Sequence, residues 1–283
     1  MQLVKDVARL QSLLAEARKG GKNVGFLPTM GALHEGHLTL ARRAVAENDI
    51  TVVSVFVNPT QFNNKTDLAT YPRDVQKDAR LLDEAGVDYV FAPEAEQFYT
   101  KEEMETRFEF DFGGLDQVME GKQRPGHFNG VVQVVSKLFR IVEPRRAYFG
   151  EKDFQQLAII RRMVELMGFD VEIVGCPIVR GESGLALSSR NQLLTDQQCE
   201  LAANIHKVLK ESLLFFDQTS VRELHDATIA AINRHEGLEV EYYDIVDGRT
   251  LQSIDNWRDT DYVVGCITVY CGKVRLIDNI RFK

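Results

Sequence analysis

Two histidines, His34 and His37, stand three residues apart in the segment VGFLPTMGALHEGHLTL, residues 24–40. On a helix this spacing puts both imidazoles on one side of the first turn, where each can donate to phosphate oxygens as negative charge develops. Gly36 between them carries no side chain and lets a nucleotide approach closely. A merely polar helix start would show the same pair. A metal pair is a weaker alternative, because no third ligand stands nearby at a recognisable spacing. Lys152, in Gly150-Glu151-Lys152-Asp153, offers an ammonium on a flexible stem that can follow phosphate charge. Ser188, Ser189 and Arg190 end the Gly-containing stretch GESGLALSSR, which reads either as a loop closing over a polyphosphate or as a plain interdomain loop. Gln61 and Gln156 are neutral amides, able to donate and accept without trapping a carboxylate as an Arg fork would. Asp153 reads as a helix N-cap or a ribose contact, and Asp74 with Asp78, on one face at i, i+4, either as a carboxylate for a metal ion or, more commonly for acids early in a helix, as dipole-complementing acids.

These groups need a scaffold, and the hydrophobic pattern supplies one. Short β-rich runs at 24–28, 50–57, 88–92, 147–150 and 171–175 alternate with amphipathic stretches at 37–47, 74–85, 131–142 and 154–167. That alternation predicts βαβ units and a doubly wound, Rossmann-like parallel sheet of the α/β class. The turn carrying His34 then opens at the carboxyl end of a strand, where ligands of such folds bind and where a helix N-terminus favours phosphate. It contains neither G-x-x-x-x-G-K-[ST] nor G-x-G-x-x-G, so it is neither a Walker loop nor a dinucleotide fingerprint. After Pro177 the pattern changes to a loop, helical stretches at 195–216 and 220–235, and strands at 240–246, 262–269 and 274–277. We therefore expect a first domain over 1–177 and a smaller α+β domain over 178–283, with a hinge near Pro177. The first fourteen residues read as an amphipathic helix.

The chain has 283 residues, with 34 basic against 42 acidic, for a formal net charge of −8. An acidic chain without a basic stripe lacks the footprint for phosphate neutralisation along a polynucleotide, so no nucleic-acid partner is expected. Its apolar runs are of strand length, which predicts no membrane span, and its N-terminus does not read as a secretion signal. A cytoplasmic location is expected. Cys176, Cys199, Cys266 and Cys271 form no C-x-x-C pair and have no His at zinc-finger spacing, so they read as reduced core thiols.

Pro28-Thr29-Met30-Gly31-Ala32-Leu33-His34-Glu35-Gly36-His37 resembles the His-x-Gly-His signature of the nucleotidyltransferase superfamily. Five further motifs narrow the match: FVNPTQF (56–62), YPRD (71–74), RPGHF (124–128), GEKDFQQL (150–157) and LSSRN (187–191). In this order they resemble the pantothenate synthetase, or pantoate–β-alanine ligase, family. That resemblance implies an ATP-dependent condensation of pantoate with β-alanine to pantothenate through a pantoyl adenylate, with pyrophosphate and then AMP released. It implies catalytic roles for His34, His37, Lys152, Ser188, Ser189 and Arg190. It implies ATP contacts from Met30, Gly31, His34, Gly36, His37, Gly150, Glu151, Lys152, Asp153, Val179, Leu187, Ser188, Ser189 and Arg190. Gln61, Gln156 and Met30 fall to the pantoate pocket, and Arg124 and His127 to the neighbourhood of the substrates. It further implies a homodimer. Mg²⁺ is expected to be held mainly by ATP phosphates and water, as hard cations on nucleotides are, with no protein metal ligand assigned, and because an acyl adenylate exposed to water hydrolyses, the C-terminal domain is expected to act as a lid. A small-molecule cytidylyltransferase would share His34 to His37 but need no second, amine-binding pocket.

Overall fold

The computed structural model describes residues 1–61, 71–100, 102–103 and 110–283. Two compact units divide them. The first comprises 1–112, 123–150 and 159–176, and the second 113–122, 151–158 and 177–283, in each case for the residues described.

The first unit carries a six-stranded sheet of β1 (Gln2–Val4), β2 (Val24–Thr29), β3 (Ile50–Val55), β4 (Tyr89–Phe91), β5 (Arg146–Gly150) and β6 (Glu172–Cys176). The order is β1-β4-β3-β2-β5-β6, and every pairing is parallel. Around it lie α1 (Val7–Lys19), α2 (Glu35–Glu47), α3 (Val75–Glu84), α4 (His127–Val142) and α5 (Phe154–Met167), whose first residues belong to the second unit. All six residues of β3 are buried, the signature of a central strand covered on both faces. Phe26 of β2 meets Phe139 of α4 edge-on, with ring centroids 6.2 Å apart, and both rings are buried.

The N-terminus departs from the helix expected there. Gln2–Val4 forms an edge strand on β4, and the helix begins only at Val7, where the Asp6 carboxylate accepts from the Arg9 N–H as N-cap. Three residues are too few for a period to declare itself, and only a partner 87 residues away makes them a strand. Helix α4 likewise starts four residues before the apolar run, because Gly126 in the left-handed region (φ 82°) lets the chain turn into it.

The second unit contains α6 (Asp196–Ser212), α7 (Val221–Asn233) and an antiparallel sheet in the order β7 (Leu238–Asp247), β8 (Val263–Cys271), β9 (Val274–Arg281). Ser220 and Thr195 cap their helices reciprocally with Glu223 and Gln198. Residues 113–122 and 151–158 pack with this unit, so a single cut after residue 177 does not describe which segments associate. The cause is visible in side chains: Gln155 donates to the carbonyls of Leu115 and Val118 and accepts from the Glu120 N–H. The Glu120 carboxylate then takes a two-pronged bond from Arg275 of β9 and a third from the Tyr242 hydroxyl. No such long-range staple is visible in hydrophobic periodicity. All four cysteines are thiols rather than disulfides, three of them buried.

Candidate active site

In the first unit the chain direction across the sheet reverses between β2 and β5, so the carboxyl ends of these strands flank the switch point at which doubly wound sheets bind ligands. At the end of β2 the Thr29 hydroxyl donates to the Ser54 carbonyl at 2.7 Å and accepts from the Gly31 N–H at 3.2 Å. Gly31 (φ 82°) and Ala32 (φ 51°) then both adopt left-handed backbone. Asp78 of α3, 2% exposed, accepts from the N–H groups of Ala32 (3.0 Å) and Leu33 (2.9 Å), one on each carboxylate oxygen. A Cβ on Gly31 would lie 2.8 Å from Asp78 Oδ2, so glycine is required by close approach as well as by φ. Burial pushes the Asp78 carboxyl above its ordinary range, and the two N–H bonds oppose that shift. Asp78 was legible in the sequence only as an acid early in a helix; its contact with a loop 45 residues away carried no local signal.

The histidines follow directly. His34 is the N-cap of α2, a place usually taken by Ser, Thr, Asp or Asn. Its Nδ1 accepts from the Gly36 N–H at 3.1 Å, while His37 Nδ1 accepts from the His34 N–H at 3.4 Å, closing a reciprocal capping box. The two rings lie 4.1 Å apart, tilted by 42°. Because both Nδ1 atoms accept, each neutral ring carries its proton on Nε2. The box therefore fixes the tautomer as well as the helix start. Gly36 is buried in that first turn, which starts at Glu35 rather than His37 because the cap is itself a histidine.

Beside this turn, Met30, Gln61 and His127 come together. Gln61, 8% exposed at the end of a short 3-10 turn after β3, approaches Met30 Sδ through Nε2 at 2.9 Å. Its carbonyl faces His127 Nδ1 at 3.0 Å, so that nitrogen is the donor. Asn58, fully buried, donates to the Gly130 carbonyl and to Gln61 Oε1 and accepts from the Tyr99 hydroxyl. A Cβ on Gly130 would meet the Gln61 backbone at 2.5 Å. Arg124, half-buried, is joined to His127 through its carbonyl. Phe62, the last residue of FVNPTQF, lies outside the described residues. Tyr71-Pro72-Arg73-Asp74 leads into α3, with Asp74 as its N-cap.

In the second unit Lys152 lies in the 3-10 turn Glu151–Asp153 that precedes α5. It lines a cavity together with Ser188, Arg190, Asn191, Arg275 and Asp278. Its ammonium makes no hydrogen bond or ion pair among the described residues. Val179 and Leu187 pair through a backbone bond of 2.9 Å, closing a hairpin-like loop whose Gly184 has φ 90°. Ser188 caps the following 3-10 turn, its hydroxyl accepting from the Arg190 N–H. Ser189 is half-buried and Arg190 exposed. Gln156 is half-buried with no side-chain hydrogen bond among the described residues, whereas its neighbour Gln155 is fully engaged. Asp153 is exposed, and its carboxylate makes no hydrogen bond among the described residues. Gly150, at the end of β5, has open space where a Cβ would sit, apart from Leu40 at 4.0 Å.

Among the described residues no three His, Cys, Asp or Glu side chains form a metal-binding group, and no helix is long and apolar enough to cross a membrane.

A parallel sheet with a switch point, a histidine-capped helix at its carboxyl edge and a separate α+β unit define a nucleotide-using enzyme of the nucleotidyltransferase kind. The pantoate-beta-alanine ligase family matches residues 2–281 of this chain. A pantothenate synthetase of Phocaeicola vulgatus is 58% identical over the full length of both chains, and one of Bacteroides fragilis is 56% identical over 100% of this chain and 99% of that one. The crystal structure of the Thermus thermophilus pantothenate synthetase superposes with a TM-score of 0.92 at 43% identity, covering 100% of this chain and 99% of that one. A Francisella tularensis pantoate-beta-alanine ligase, solved in complex with beta-gamma ATP and beta-alanine, gives 0.82 at 36% identity, covering 100% and 98%. The chain belongs to the pantoate–β-alanine ligase family.

Proposed function

We propose that this chain joins pantoate to β-alanine at the expense of ATP. The pantoate carboxylate attacks the α-phosphorus and displaces pyrophosphate; the β-alanine amine then attacks the pantoyl carbonyl and displaces AMP, giving pantothenate. The observation that carries the reading is the double-histidine capping box at the carboxyl end of β2, in a chain matched to the family over residues 2–281.

In the first step charge accumulates on the departing pyrophosphate, so preorganised donors supply most of the rate. His34 and His37 offer their Nε2 edges as donors, since their Nδ1 atoms are taken up by the bonds that cap α2. The helix N-terminus adds its dipole to the same end. Lys152, Ser188, Ser189 and Arg190 supply cationic and hydroxyl donors to the triphosphate, with Met30, Gly31, Gly36, Gly150, Glu151, Asp153, Val179 and Leu187 completing the ATP contacts. Gln61 and Gln156 bind the hydroxyls and carboxylate of pantoate, with Arg124 and His127 close to the substrates. Gln61 is held by Asn58, which turns a mobile amide into a fixed one. Mg²⁺ enters with ATP as part of that substrate, held by phosphates and water. The same proposal includes a homodimer, a cytoplasmic location and a lid role for residues 178–283, which keeps water from the adenylate.

The test follows pyrophosphate and AMP from the purified protein with ATP, Mg²⁺ and pantoate, with and without β-alanine. Pantoate-dependent pyrophosphate, and sustained AMP with pantothenate only when β-alanine is present, are expected. Pyrophosphate release without pantoate, or a stable nucleotidyl product, would overturn the reading.

A further inference from the structure

The last strand of the chain carries no recognisable motif, yet it holds the backbone that presents Lys152. Asn279 of β9 is 9% exposed, and its amide nitrogen donates to the carbonyls of Glu151 (2.8 Å) and Lys152 (3.2 Å), more than 125 residues earlier in the chain. Both acceptors are carbonyl oxygens, so only the NH₂ end of the side chain satisfies them, which settles the orientation of the amide by chemistry. The preceding residue, Asp278, 6% exposed, receives both arms of the Arg180 guanidinium at 2.7 and 2.9 Å and also the Asn279 N–H at 2.8 Å. Arg180 stands at the start of the loop that leads to Ser188, and it bridges to Ala186 within that loop. Two consecutive residues of one strand thus hold the Lys152 turn and the serine–arginine loop.

This matters because no hydrogen bond or ion pair among the described residues restrains the Lys152 head group. Its ammonium makes no bond among the described residues, so its position follows from its backbone and a four-carbon stem that carries any shift of the turn outward. We propose that Asn279 is a positioning residue for Lys152, setting where the ammonium meets the triphosphate without touching substrate. The inference rests on the assignment of Lys152 to the ATP phosphates made above.

A double-mutant cycle on pantoate-dependent pyrophosphate release tests it. Asn279→Leu keeps the branched shape but removes the donor, and should lower kcat about tenfold, in keeping with the sensitivity of reaction geometry to small displacements. In a Lys152→Ala background the same change should cost less than about twofold, because there is no ammonium left to misplace. A merely structural Asn279 would lower activity by the same factor in both backgrounds. Equal factors, or no loss in the otherwise native protein, overturn the proposal while leaving Lys152 assigned. An unimpaired Lys152→Ala overturns that assignment and the proposal with it. Should the Leu variant fail to fold, Asn279→Ser, too short to reach both carbonyls, carries the same cycle with the same outcomes.

Discussion

The histidine turn after β2 and the lysine turn after β5 present the same kind of group, a hydrogen-bond donor suited to phosphate, but they are held differently. The histidine turn is largely self-supporting: His34 and His37 cap the helix on which they sit, through bonds spanning two and three residues. The lysine turn is held from outside by Asn279, across more than a hundred residues. The proposed phosphate donors are themselves the local cap in the first turn, whereas in the second the proposed donor and the group that holds its backbone are separate residues. A change at the first must therefore disturb chemistry and folding together unless the cap is preserved, whereas the second can lose its donor without losing its shape.

The sharpest separation comes from substitutions that remove only the donor. His37→Gln keeps a capping group at the third helical position, as in the usual capping box, while replacing the imidazole N–H. Lys152→Ala removes an ammonium with no partner among the described residues. Both should lower the rate of pyrophosphate formation by about 10²- to 10³-fold, the scale of losing one preorganised donor, with unchanged thermal unfolding. If either variant turns over ATP and pantoate at the native rate, its assigned role is wrong. If His37→Gln unfolds early, the cap depends on the imidazole itself and the contrast between the two turns is sharper still.

The next effect is on stability, and it bears on whether the histidine turn is as self-supporting as its cap implies. Asp78→Ala would leave the N–H groups of Ala32 and Leu33 without an acceptor in a buried loop, at a cost of about 2–4 kcal/mol in urea unfolding. Thr29→Val should cost less, about 1–2 kcal/mol, since the Gly31 N–H and the Ser54 carbonyl each lose one neutral partner. Losses below about 0.5 kcal/mol for both would mean that the capping box alone holds the turn.

The same contrast explains what could be read from sequence. The pattern of apolar runs separated β2, β3, β5 and β6 from their helices because buried parallel strands and amphipathic helices have distinct periods. The His-x-Gly-His spacing placed two rings on one helical face, and the structure adds that those rings are the cap. The edge strand Gln2–Val4 was hidden because three residues have no period and its partner lies far along the chain. Segment 113–122 joins the second unit through Gln155 and Arg275, side chains that look like ordinary surface groups in sequence. Of the adjacent glutamines 155 and 156, only the fold separates the staple from the one with no side-chain hydrogen bond among the described residues. Information carried by i, i+3 spacing was legible; information carried by a single long-range polar contact was not.

The smallest predicted effect is one of pH, and it belongs to one turn only. Asn279 is an amide and does not titrate, whereas Asp78 does. Burial, the largest influence, raises the folded-state pKa of Asp78 above its unfolded value; the N–H groups of Leu33 and Ala32 and the charge of Lys77 act against this, and Asp74 with it. The folded protein therefore binds this proton more tightly than the unfolded chain. As pH falls through the folded-state pKa, the contribution of Asp78 to stability rises, and it is complete below the unfolded value. Carboxylates such as Glu223, held low by the N–H and hydroxyl of Ser220, behave in the opposite sense and lose their contribution on acidification. Global unfolding mixes both kinds, so the comparison must be with Asp78→Asn, which removes this one titration. The difference in urea stability between the native chain and Asp78→Asn should widen from about pH 7 to about pH 4. A difference that narrows would mean that the two N–H bonds outweigh desolvation, and that the loop 31–33 is held by the charge of Asp78 rather than merely by its two acceptor oxygens.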